Sequence, residues 1–322
     1  MADPVISLYG LGRCFGKTIA VDAISLAIDE GEIFGFLGAN GAGKTTIIRM
    51  LCGLTRPTHG KGAIHGLDIW HDRSQLRSQF GYVAQQFNLY TDLTVLENLQ
   101  FFGGAYRVTG NRLARRIEHL LSELDLAGQQ NTKAGSLSGG FKQLLSLSCA
   151  LIHEPSVLFL DEPTAGLDPT HRRYIWSLIY ELSRRDTTIV LTTHYMDEAD
   201  RCTKVGFMQR GQLLAEGSPV ALKEHLHGKL LEIEVENVMD AMQILRRLPS
   251  VHGIELRDGR LRLQAADAHA LLDNWLKRWP HTNIRLLGYT WAEPDMEDVF
   301  LACSQGYYGG APATTGPVEL NR

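Results

Sequence analysis

The stretch GEIFGFLGANGAGKTTIIRML, residues 31–51, constrains the fold of this chain more than any other. An apolar run of strand length comes first, and an amphipathic helix is expected over 45–54. Between them Gly38, Ala39, Asn40, Gly41, Ala42, Gly43, Lys44, Thr45 and Thr46 contain the pattern G-x-x-x-x-G-K-[ST]. Glycines in that pattern let successive backbone N–H groups converge on phosphate oxygens, and the helix N-terminus adds its positive dipole end. Lys44 is placed to reach the β- and γ-phosphates, and Thr45 to hold magnesium. A chance glycine-rich turn would not come with both the strand and the helix.

The rest of the first two hundred residues agrees with an α/β sheet. VISLYGL, ISLAI, SVLFLDEP, TTIVLTTH and KVGFMQRG read as strands, and the pattern between about 91 and 150 is helical. Apolar strands alternating with helices predict a mostly parallel sheet covered on both faces. The pattern shifts near GSPVALKEHLHGK. Beyond it LLEIEVE, VMDAMQILRRL, GIELRDG, RLRLQA, DAHALLDNWLKRW and NIRLLGYTW run strand, helix, strand, strand, helix, strand. That is the order of a ferredoxin-like split βαβ unit. The expected domains are 1–218, with a helical subdomain at about 88–150, and a small α+β domain at 219–304. Residues 305–322, rich in Gly, Pro and Thr, are expected to be a disordered tail.

Further stretches carry chemistry. SVLFLDEP delivers Asp161 and Glu162 to the C-terminal edge of a buried strand, where parallel sheets bind ligands. Asp161 suits a magnesium shell, and Glu162 suits polarising the water that attacks the γ-phosphate. Alone, the pair would read as charges at a helix start. His194, in TTHYMDEAD, ends the next strand at the same edge, which favours γ-phosphate contact over a purely structural role. Gln85, in GYVAQQ, follows another strand; spacing alone does not separate it from Gln86 or from a polar turn residue. A second Ser-Gly-Gly loop, within LSGG at 137–140, precedes a second helix. A helix cap would explain Ser138 but not the paired glycines.

Composition excludes several classes. Lys+Arg 32 against Asp+Glu 36 gives a net charge of -4, so no nucleic-acid footprint is expected. Arg112, Arg115 and Arg116 read as a solvated helix face. Five cysteines without a C-x-x-C pair fit a reducing compartment, with Cys52 and Cys149 as buried structural thiols. MADPVISLYG lacks the charged and apolar regions of a signal peptide, and no apolar run approaches a membrane span.

Taken together, residues 5–218 resemble the nucleotide-binding subunit of an ATP-binding cassette (ABC) transporter. GANGAGKTT stands as Walker A, VAQQ as Q-loop, LSGG as signature, LFLDEP as Walker B, AGLD as D-loop and TTH as H-loop, in the family's order. The resemblance implies a P-loop NTPase fold, ATP and Mg2+ as cofactors, and Thr45, Gln85 and Asp161 around the metal. It assigns Glu162, His194 and Gln85 to hydrolysis. It assigns Phe15 to stacking on adenine, although the residues alone leave a core aromatic equally open. It implies a head-to-tail dimer in which Ser138, Gly139 and Gly140 of one subunit hold the γ-phosphate bound at the other's Lys44, with D-loop Asp168 at the interface. Phe141 stands where many cassettes have Gln, and Leu144 where Arg usually follows KQ.

GEIFGFLGANGAGKTTIIRML, NLYTDLTVLENLQFF and EPDMEDVFLA further resemble the ATPases of daunorubicin-type bacterial exporters. That likeness implies a separate integral-membrane permease, a place on the cytoplasmic face of the membrane, and export of a drug or other small amphipathic molecule. The alternatives are a transporter for lipid or polysaccharide, a soluble ABC ATPase of translation or repair, and a regulatory module with little turnover. A single cassette argues against the second, and Glu162 with His194 against the third.

Overall fold

Two sheets, not one, frame the glycine-rich loop. The computed structural model describes residues 3–226, 228–265, 267–278 and 285–308, and the chain divides between Leu213 and Leu214 into two units. The first runs β1 (Ile6–Phe15), β2 (Thr18–Ile28), β3 (Ile33–Leu37), α1 (Lys44–Leu51), β4 (His59–Ile64), β5 (Leu67–Asp68), α2 (Arg73–Leu76) and β6 (Phe80–Val83). Then come α3 (Val95–Ala105), α4 (Gly110–Glu123), α5 (Gly139–Leu151), β7 (Val157–Asp161), α6 (Pro169–Ser183), β8 (Thr188–Thr193), β9 (Lys204–Gln209) and β10 (Gln212–Gly217), the strand within which the division falls.

The main sheet has the order β10-β9-β3-β8-β7-β6, with the five strands from β9 to β6 parallel. Every residue of β3, β7 and β8 is buried, which is why their stretches IFGFL, VLFL and IVL read as apolar runs. The expectation of a single sheet is corrected here: β1 and β2 leave it for an antiparallel sheet of order β2-β1-β4-β5. β1 buries Ile6 and Leu8 while Tyr9 is exposed, the alternation of a half-covered sheet. β4, with the sequence HGKGAI, offers too few apolar residues to be read.

Helix α1 sits between the sheets. Its Ile47, Ile48, Met50 and Leu51 share one core with Ile6, Leu8 and Ile24 of the antiparallel sheet and with Phe34, Phe36 and Phe159 of the parallel one. Burial of each such side chain contributes roughly 1.5–3 kcal/mol. Packing on both flanks fixes the helix whose N-terminus carries the glycine-rich loop.

Two smaller expectations resolve differently. Cys52 and Cys149 are free and buried, and burial pushes the Cys149 thiol well up, so both are structural. Arg116 is not on a solvated face: its guanidinium donates to the Leu151 carbonyl, 2.8 Å away, at the C-terminal end of α5. A cation there complements the helix dipole.

The second unit contains α7 (Pro219–Glu224), β11 (Lys229–Val235), α8 (Val238–Leu245), β12 (Val251–Arg257), β13 (Arg260–Ala265), α9 (Ala268–Arg278), β14 (Leu286–Ala292) and α10 (Met296–Gln305). Its sheet order is β12-β13-β11-β14, with each neighbouring pair antiparallel, as a split βαβ unit requires. Leu231, Ile233, Leu261 and Leu263 pack against α8 and α9 through Ala241, Leu245, Leu271 and Leu272. On the face carrying Glu232, Arg262 grips Asp298 of α10 with two hydrogen bonds of 2.9 and 2.6 Å and Glu232 with one of 2.6 Å. The EPDMEDVF stretch is therefore a docking device for α10. Tyr308, which composition assigned to the tail, donates to the Leu222 carbonyl at 3.2 Å; its aromatic ring is lost in an average over a glycine-rich segment. Residues 309–322 of the expected tail lie outside the described residues.

Candidate nucleotide site

The loop between β3 and α1 is walled by backbone. Gly38 and Gly43 have φ of 153° and 107°. A Cβ at Gly38 would lie 2.2 Å from the Met208 carbonyl oxygen, and one at Gly43 would lie 2.4 Å from that of Ala20. Only glycine meets both demands. Lys44 is 4% exposed and donates to the Gly38 and Ala39 carbonyls at 2.7 and 3.2 Å. Burial pulls its ammonium below the ordinary lysine value, and the Glu162 and Asp161 carboxylates oppose that pull. An open cleft of about 240 Å³ is lined by Ala20, Asn40, Gly41, Lys44, Gln85 and Glu162, with the rest of the loop through Thr46.

Asp161, 1% exposed at the end of β7, accepts from the Thr45 hydroxyl at 3.0 Å and from the Thr192 hydroxyl at 2.6 Å. Adjacent carboxylate and hydroxyl oxygens are the donors a hard cation takes, so Thr45 and Asp161 fit magnesium. Gln85 is turned elsewhere, donating from Nε2 to Glu162 Oε2 at 2.9 Å. Glu162 Oε1 lies 3.9 Å from the Lys44 ammonium. His194 Nδ1 lies 3.3 Å from Glu162 Oε2 without making a hydrogen bond. Glu162 itself has φ of 50°, rare outside glycine and costing on the order of 1–3 kcal/mol. Its N–H is held there by the Thr192 carbonyl and hydroxyl at 3.1 and 3.0 Å.

The other predicted residues sit apart. Ser138 caps α5 by accepting from the Phe141 N–H at 3.4 Å, and neither Ser138, Gly139 nor Gly140 lines the cleft. Leu144 is buried, so the usual arginine is replaced by packing. Asp168 caps α6. Phe15 is 49% exposed, which rejects the core reading, and the Arg13 guanidinium stacks 4.5 Å from its ring centre.

A family model described as ABC transporter matches residues 21–165. The Nod factor export ATP-binding protein I of Rhizobium sp. (strain N33) is 38% identical over 303 residues, which cover 94% of this chain and 97% of that one. This chain belongs to the ATP-binding subunits of ABC transporters. The cassette is also 42% identical over 221 residues to the probable multidrug ABC transporter ATP-binding protein YbhF of Escherichia coli (strain K12). That match covers 69% of this chain but only 38% of YbhF. Among solved structures, the dimeric post-hydrolysis ATP-binding cassette MJ0796 bound to ADP and Pi is similar at a TM-score of 0.61 and 27% identity. It covers 66% of this chain and 98% of its own.

Sequence reading of the cassette missed two residues. Thr192 lies within TTH, yet only the pairing of β7 with β8 shows that it reaches Asp161. Glu198, fully buried, accepts from Thr164 at 2.6 Å, Arg172 at 3.1 Å and Trp176 at 3.2 Å, tying α6 to the segment after His194. No pattern in YMDEAD singles it out from its acidic neighbours. Thr192→Val keeps shape but removes one of the two hydroxyl donors on Asp161. It is expected to cost about 1–3 kcal/mol in urea unfolding. Unchanged stability would show that Thr45 alone holds Asp161.

Proposed function

We propose that the cassette hydrolyses ATP as a head-to-tail homodimer and drives export of a small amphipathic molecule through a separate membrane permease. The observation that carries this reading is the set of contacts that gathers Gln85, His194 and Lys44 around Glu162 of the cleft lining, with Asp161 bonded to Thr45 of the same lining. Lys44 binds the β- and γ-phosphates. Thr45 and Asp161 hold magnesium, with Gln85 nearby; the ion neutralises phosphate charge when bound. Glu162 accepts a proton from the attacking water, His194 contacts the γ-phosphate, and Phe15 offers its open face to adenine.

Ser138, Gly139 and Gly140 do not line their own chain's cleft, which favours their use across a dimer, with Asp168 beside them. The dimeric state of MJ0796 supports a dimer here as well. Export is the role carried in the names of two relatives, the Nod factor export ATP-binding protein I and the probable multidrug ATP-binding protein YbhF. No helix among the described residues is long and apolar enough to cross a membrane. Our reading therefore puts the cassette on the cytoplasmic face through the permease, met by Gln85 and by residues 94–102, where Phe101 is exposed. Residues 219–304 form a separable accessory domain in this reading.

MgATP hydrolysis per subunit is expected to fall as the protein is diluted through dimer dissociation. A constant rate per subunit in protein shown to be monomeric by light scattering would reject the dimer.

A further inference from the structure

One side chain outside the site just described joins two of its distant parts. Asp168 Oδ1 accepts from the backbone N–H groups of Thr170 and His171 at 2.9 and 3.1 Å, and its Oδ2 meets His171 Nδ1. A carboxylate only accepts, so Nδ1 is the donor. These bonds hold the Asp168 carboxyl below its ordinary range, the backbone bond from His171 first. The opposite edge of the imidazole lies against Gly140. A Cβ there would come within 2.2 Å of Cδ2 and 2.5 Å of Nε2. The Phe141 ring meets the same imidazole edge-on, with centres 6.3 Å apart.

We propose that His171 is a positioning residue that clasps the Asp168 loop to the signature loop of the same protomer, setting where Ser138 and Gly140 stand against the partner's ATP. The proposal rests on the trans use of the signature loop. It explains why position 140 takes glycine even before a nucleotide is considered: the ring occupies the space of a side chain. An incidental first-turn histidine would touch the cap or the neighbouring helix, but would not be wedged between both.

The test uses the full chain carrying Glu162→Gln. Dimer formation is followed by analytical ultracentrifugation across a MgATP titration, and binding to the protomer's own loop is followed with a fluorescent ATP analogue. Adding His171→Ala is expected to raise the MgATP needed for half-maximal dimer about tenfold. Analogue binding should stay within about twofold, as it must if the effect is confined to the signature loop. His171→Asn keeps a side-chain N–H for Asp168 and is expected to return to within about threefold of the parent. Gly140→Ala should block the dimer, and Gly140→Ala with His171→Ala should dimerise better than Gly140→Ala alone, because the clash is gone.

An unchanged MgATP requirement in His171→Ala would overturn the clasp. So would loss of analogue binding, an Asn variant no better than Ala, or no relief in the double variant. A Glu162→Gln parent that never dimerises with MgATP is a different result. It would sink the trans reading itself, and this inference with it.

Discussion

Replacing Glu162 with Gln is expected to slow ATP hydrolysis by about 10²- to 10⁴-fold, the range for a lost general base. The amide is nearly the same shape, so the unusual backbone at this position and its anchor on Thr192 should persist. What disappears is the group that accepts a proton. In the proposed arrangement, phosphate binding through Lys44 and the signature loop is untouched, so MgATP should accumulate a closed dimer instead of turning it over. Adding Ser138→Arg places bulk and a guanidinium where the partner's γ-phosphate would sit. The double variant should still bind ATP through its own Lys44, yet run as a monomer in size-exclusion chromatography. Were Ser138 only the cap of α5, the change would cost about 1 kcal/mol of stability. A double variant that forms the MgATP dimer undiminished would refute the trans site.

Lys44→Ala should remove productive MgATP binding at the protomer's own loop. Its ammonium is the one full positive charge between Gly38 and Thr46, and it is buried there. Charge-assisted hydrogen bonds are worth about 1.5–3 kcal/mol each, so losing two or more weakens binding by about 10²-fold or beyond. The change also strips the Gly38 and Ala39 carbonyls of a donor and leaves Glu162 without the ammonium 3.9 Å from it. Titration with a fluorescent ATP analogue reads the result directly. Wild-type affinity would mean that Lys44 serves the loop's structure rather than the phosphates.

How much of this was legible in the sequence depends on whether the physics is local. The strand, loop and helix around Lys44 follow from neighbouring residues, since buried parallel strands are apolar throughout and glycines mark a backbone approach. The second unit was legible for the same reason, its strands and helices having clear periods. The antiparallel sheet was not. β4 earns its place by pairing His59 to Ile64 with β1 some fifty residues away, and its own composition says little. Thr192 and Glu198 were hidden similarly, because their partners lie in other elements. Arg116 looked like surface charge because the carbonyl it caps belongs to α5.

The walls around Gly38 and Gly43 have an evolutionary consequence. Those glycines are demanded by the Met208 and Ala20 carbonyls, so they would be kept by selection for folding alone. A descendant that had lost Lys44 and Glu162, and with them all turnover, would still display a glycine-rich loop of normal appearance. The loop therefore marks ancestry in this lineage. Competence is marked by Lys44 and Glu162, whose charges those backbone walls do not enforce.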